Sequence, residues 1–159
     1  MYLNPRIEEL NSINLMGISR KMSYANDTTA NLWGIFMPRR KEIKNSIADK
    51  FYSLQIYPSD FFNSFDIHKE FTKWAGLAVD DKSDIPENMS VLTIPAGKYA
   101  VFKHVGPDTS IFQQIFGVWI PNSEYTLDDR PHFELLGDEY KKGDPNSKEE
   151  IWIPIKVRG

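Results

Sequence analysis

Hydrophobic and polar residues alternate at period two through the last stretch of the chain, Glu149 to Val157, as they do in a strand with two unlike faces. Ile151, Ile153, Ile155 and Val157 fall on one face, and Glu150, Trp152, Pro154 and Lys156 on the other. The same period recurs at 50–57, where Tyr52, Leu54 and Ile56 oppose Ser53, Gln55 and Tyr57. It recurs again at 70–79, over 90–105 with an interruption at Ala96-Gly97, and at 132–136, where Phe133 and Leu135 oppose Glu134 and Leu136. Residues 6–24 alternate more loosely and read as extended, with Gly17 as a bend or bulge. Two stretches have helical character instead. Asp27-Thr28-Thr29 can cap a helix whose buried side is Leu32, Trp33, Ile35, Phe36 and Met37 and which Pro38 breaks. An apolar helix runs from Pro107-Asp108-Thr109 to Ile120 and stops at Pro121.

The pattern restarts after a polar, aperiodic connector at 80–88. Residues 32–37 and Pro38 match 115–120 and Pro121 in character, and the strand 74–79 matches 152–157. This predicts one domain over 1–159, made of two βαββ units at about 1–88 and 89–159. The fold class is α+β, with antiparallel sheets, one main helix per unit and a ligand groove between the halves. If each helix covers the apolar face of its own sheet, the opposite faces look into the groove. Trp74 and Trp152 then become equivalent groove residues, Gln55 faces Glu134 across the repeat, and Tyr57 adds a ring. Glu134 and Glu150 project from neighbouring strands onto this aromatic face. A cation that sheds water there is stabilised by a carboxylate and by roughly 0.5–2 kcal/mol from each well-placed ring. The competing reading makes both glutamates solvated, or paired with Lys103, Lys156 or Arg130.

A net charge of -3 and a pI of about 5.6 leave no electrostatic footprint for nucleic acid, and Arg39-Arg40-Lys41 is too short to create one. Aromatic residues at 13% suit a ring-lined cavity. The absence of cysteine excludes disulfides and thiolate chemistry. With no secretory leader and no apolar run near about 18 residues, a cytoplasmic protein without membrane contact is expected. His68, His104 and His132 lack metal-ligand spacing, and no phosphate loop or serine elbow is present, so neither a metal nor a cofactor is expected.

Four segments carry a resemblance: Phe71 to Val79, Ile94 to Phe102, Arg130 to Glu134 and Glu150 to Ile155. In this order they resemble the GyrI-like small-molecule-binding domain, the effector-binding module of AraC-type and MerR-type multidrug-sensing activators. The resemblance implies a duplicated βαββ fold that binds amphipathic, often cationic or aromatic, organic compounds. It puts the family's acidic groove residues at Glu134 and Glu150, while Leu136 stands where a tyrosine is common. The ligand-binding set expected is therefore Glu134, Glu150, Trp152, Trp74, Tyr57 and Tyr99. No helix-turn-helix is recognisable, so the expected role is a ligand sensor or sequestering module without direct nucleic-acid binding. A protein partner such as a regulator or DNA gyrase is an alternative. Some relatives resemble hydrolases of cyclopropane-type electrophiles, for which Glu134 would be the base, with Tyr99 or Tyr57 beside it.

Overall fold

The structure is a computed structural model and describes residues 3–159, without the side chains of residues 48 and 49. Chain order is β1 (Arg6–Leu10), β2 (Ile13–Ser23), α1 (Thr29–Phe36), a 3-10 turn (Met37–Glu42), β3 (Ser46–Ile56), β4 (Glu70–Val79), β5 (Ser90–Ile94) and β6 (Gly97–Val105). Then come α2 (Ser110–Gln114), a π-helical turn (Ile115–Trp119), α3 (Ile120–Asn122), β7 (Tyr125–Leu127), β8 (His132–Leu136) and β9 (Lys148–Val157). No helix among the described residues is long and apolar enough to cross a membrane.

The helix starts follow from side chains that compete for backbone donors. Asp27 Oδ1 accepts from the backbone N–H of Thr29 at 2.9 Å and from its hydroxyl at 2.6 Å, whereas Thr28 makes no capping bond. Asp108 holds Ser110 in the same way at 2.8 and 3.0 Å. Pro38 ends α1 as expected, by diverting the chain into the 3-10 turn. Pro121 does not end the second helix. It occupies the first turn of α3, where the missing N–H costs least, after a wide π-helical turn.

All strand pairs are antiparallel, in the order β1-β6-β9-β8-β3-β4-β2-β5, with β7 pairing separately with β9. The two halves of the chain join at β3–β8 in the middle of the sheet, and again at β1–β6 and β2–β5 near its ends. Near the sheet's two ends, residues 11–12 link β1 to β2 and residues 95–96 link β5 to β6, so each connection ties one end of the sheet to the other. The sheet therefore curls. Gly17 is part of this tight weave rather than a bulge: it lies in regular register with Gly76, and a Cβ on it would run into the Ala75 carbonyl.

On the helix side lie two cores. One, under α1, contains Met16, Leu32, Phe36, Ala75, Leu77 and Val79. The other, under α2 and α3, contains Ala100, Phe102, Ile111, Ile115, Ile151, Ile153 and Ile155. The far side carries a third core of Leu15, Leu54, Trp74, Ile94, Tyr99, Val101, Phe133 and Trp152. That face was expected to open onto the ligand groove. It is instead closed, because the curled sheet folds Leu10, Ile13 and Ile94 from its ends over the rings at its middle. Each large apolar side chain fully buried there contributes roughly 1.5–3 kcal/mol over exposure.

Candidate functional site

A cavity of about 660 Å³ lies on the helix side of the sheet, over the junction of β3 and β8. Its floor is set by strand register. Gln55 stands beside Lys73 on one side and His132 on the other, while Glu134 stands opposite Ser53 and Ile151. Phe71 and Tyr57 extend the floor towards α1, and Ile151 and Ile153 towards α2. Phe112 and Phe116 of the second helix form one wall. Phe61 and Phe62, from the loop between β3 and β4, form another, with Asp27 and Asp66 also lining the space. Both halves of the chain thus contribute, and the volume suits a drug-sized organic molecule.

Aromatic contacts build the walls. Phe62 stacks on Phe116 with ring centres 5.3 Å apart and on the His132 imidazole at 5.6 Å. Tyr57 packs on Phe61 at 4.5 Å and meets His132 edge-on at 4.9 Å. The loop that carries Phe61 and Phe62 is wrapped around Lys69, whose ammonium donates to the carbonyls of Asp60, Phe61 and Ser64 at 3.3, 3.3 and 3.0 Å.

Charge in this space is sparse and well defined. Gln55 Nε2 donates to Glu134 Oε2 at 3.1 Å, which orients the carboxylate over the floor. Burial, together with the nearby Arg130 charge, holds the His132 pKa down to about 3, so the imidazole is a neutral ring near pH 7. Burial likewise pushes the Tyr57 phenol well above its ordinary range. Lys73 is only 6% exposed. Burial lowers its pKa, while Glu134, Asp27 and Glu149 pull the other way. Beside the cavity, His104 bridges the Glu149 carboxylate at 2.9 Å and the Asp108 carbonyl at 2.6 Å, pinning the start of α2 to β9.

The residues expected to form the site are divided between the two sides of the sheet. Glu134 and Tyr57 line the cavity, and Gln55 bonds Glu134 directly. Glu150 does not share their face, contrary to the expectation. Glu134 pairs with Ile151 and Leu135 with Glu150, so adjacent register puts the two glutamates on opposite sides. Trp74 and Tyr99 are buried in the far core, Tyr99 donating its hydroxyl to the Pro131 carbonyl at 2.8 Å. Trp152 borders the cavity between Ile151 and Ile153 on β9, but its indole stacks on Phe133 across the far face, 5.3 Å between centres and 16° between planes. The guanidinium of Arg6 occupies the space beside Glu150 and Trp152. Partial burial pushes the Glu150 carboxyl up, but hydrogen bonds from Arg6 and Trp152 and the charges of Arg6 and Lys50 together outweigh it and hold the group below the usual carboxylate range.

Sequence reading missed Lys73, His132 and the phenylalanines of the loop and second helix. Lys73 did leave a signal, since it interrupts the otherwise apolar alternation Phe71, Ala75, Leu77 and Val79 on one strand face. Phe61 and Phe62 lie in an aperiodic loop that carries no such mark.

The family described as the GyrI-like small molecule binding domain matches residues 3–156. This chain belongs to that family. The GyrI-like domain is 30% identical over 157 residues to the transcriptional regulator BrlR of Pseudomonas aeruginosa, covering 96% of this chain and 56% of BrlR, so it spans about half the length of that relative. The solved structure of SAV2435 bound to tetraphenylphosphonium superposes with a TM-score of 0.71 at 23% identity, over 97% of this chain and 94% of SAV2435. The C-terminal domain of EcmrR gives a TM-score of 0.70 at 14% identity, over 99% of this chain and all of that domain, 100%. The last two likenesses speak for the fold.

Proposed function

We propose that this GyrI-like domain binds an amphipathic aromatic cation in the cavity on the helix side of its sheet, and that ligand occupancy is what a regulatory system reads. The observation that carries the reading is Glu134, a carboxylate oriented by Gln55 on the floor of a space walled by Tyr57, Phe61, Phe62, Phe71 and Phe116. Rings of this kind present their negative faces to a cation, and the carboxylate supplies the countercharge. The neutral His132 extends the ring surface without adding positive charge. The tetraphenylphosphonium held by SAV2435, a protein of the same fold, supports the choice of a lipophilic cation. The transcriptional regulator BrlR, 30% identical to this chain, supports a sensing role.

Calorimetry with tetraphenylphosphonium tests the reading on the full chain and on Glu134→Gln. The substitution keeps shape and hydrogen bonding but removes the charge, and affinity should fall by about 1–3 kcal/mol, less than for a fully buried ion pair. Equal affinity for the two proteins would sink the reading.

A further inference from the structure

Lys73 is at odds with a cavity that takes only cations. It stands on the floor, on the inner strand β4, buried to 6% exposure, with Gln55, Phe71 and Tyr57 also lining the space. Among the described residues no carboxylate comes within ion-pairing distance of its ammonium. Its neighbour Gln55 spends its amide on Glu134 rather than on Lys73. Buried ammonium groups are normally paired, since an unpartnered one forfeits its hydration without return. The Lys73 ammonium is not among the fully enclosed unpaired atoms, so it keeps access to the cavity, as a set of donors in an aromatic space that also holds a carboxylate.

We propose that Lys73 is the recognition point for an anionic acceptor on the ligand, so that the cavity selects zwitterions: an aromatic cation that also bears a carboxylate or comparable group. The proposal deepens the cation reading and rests on it for the Glu134 half. Geometry sets the ligand's dimensions. Lys73 lies on β4 and Glu134 on β8, with β3 between them. Neighbouring strands are about 4.8 Å apart, which separates the two backbones by roughly 10 Å. Both side chains rise from the same face into the cavity, Lys73 beside Gln55 and Glu134 bonded to it. A ligand whose positive and negative centres are separated by several bonds satisfies both groups at once. A compact monocation satisfies Glu134 and leaves Lys73 opposed to it. Glu134, Asp27 and Glu149 all act on Lys73 through space, yet among the described residues none reaches it in an ion pair, so its donors stay open to the ligand's anion.

A matched pair of probes decides the matter: butyltriphenylphosphonium, a monocation, and (4-carboxybutyl)triphenylphosphonium, a zwitterion at pH 7.5. Titration calorimetry on the full chain should show the zwitterion bound roughly tenfold more tightly, as expected of a charge-assisted hydrogen bond. In Lys73→Met, similar in length and shape, the preference should vanish or reverse, with the monocation binding more tightly than it does to the wild type. Glu134→Gln should weaken both probes and keep their ratio. Equal binding of both probes by the wild type, or a ratio unchanged in Lys73→Met, overturns the proposal. A monocation indifferent to Glu134→Gln, beside a zwitterion that still depends on Lys73, overturns the cation reading and leaves the acceptor site standing. Failure of both probes to bind overturns both. Should Lys73→Met not fold, as a thermal melt would show, Lys73→Gln, which is shorter and uncharged, must also abolish the preference.

Discussion

The guanidinium of Arg6 donates to Glu150 at 2.9 Å and lies 5.7 Å from the centre of the Trp152 ring. A carboxylate and an indole on one strand face do hold a cation in this protein, and the cation is the protein's own. Because Arg6 and Glu150 are partly exposed, the pair should matter little to stability. Arg6→Ala is expected to lower it by less than about 1 kcal/mol. Glu150→Gln should likewise leave tetraphenylphosphonium affinity within about twofold of the wild type, in contrast to Glu134→Gln. Chemical denaturation and calorimetry on the two variants check both statements.

Trp152 presents the opposite balance. Its indole stacks on Phe133 and packs against Tyr99 in the far core, with its Nε1 donating to Glu150 at 3.2 Å. Trp152→Ala should cost about 3–5 kcal/mol and lower the melting temperature markedly. The fraction that stays folded should bind tetraphenylphosphonium with near wild-type affinity, measured by calorimetry below the melt.

Phe62 is expected to behave the other way round. It is 43% exposed, so Phe62→Ala should change stability by less than about 1 kcal/mol. Losing its stack on Phe116 and His132 strips one wall from the cavity, and ligand affinity should drop by about 0.5–1.5 kcal/mol. Paired melts and titrations on a single preparation separate the two effects.

The fold should weaken in acid partly through His132. Its pKa falls from an ordinary 6.5 to about 3 because burial disfavours the charged ring. The unfolded chain therefore binds a proton between these values that the folded protein refuses. The stability this group contributes is complete above pH 6.5 and is lost as the pH falls towards 3, with a slope of up to about 1.4 kcal/mol per unit. His132→Phe fits the aromatic surroundings and cannot titrate, so its denaturation midpoint should fall less steeply than that of the wild type between pH 6.5 and 4. Parallel curves for the two proteins would show that His132 is not the sensor.

Alternation within a strand was a sound guide: it set Gln55 and Tyr57 apart from Leu54 and Ile56, and Glu134 apart from Phe133 and Leu135. It fell short between strands. Glu134 and Glu150 lie on different strands, and only the pairing of Leu135 with Glu150 reveals that they point opposite ways. Period two carries no information about that register. The assumption that only the faces under the helices are buried failed for a related reason. Trp74, Phe133 and Trp152 are as large and apolar as any helix-side residue, and the sheet's curl, which depends on which strands form its ends, buries them too. The cavity walls come from a loop and a helix face whose neighbours are set by tertiary packing, so Phe61, Phe62 and Phe116 had no local pattern to betray them.

The placement of β9 has a consequence for how the chain acquires this structure. Although it is last in sequence, it sits inside the sheet between β6 and β8, while the pairs among β2, β3 and β4 are complete by residue 79. A nascent chain can therefore assemble its first half early. Trp74 and Leu54 then await Phe133 and Trp152, their partners in the same core, until translation has reached the closing strand. Contacts of such long sequence separation slow folding and prolong the exposure of apolar surface, the condition under which chains associate wrongly. Trimming residues from 151 onward would remove an inner strand rather than an edge and leave β6 and β8 without the partner they share.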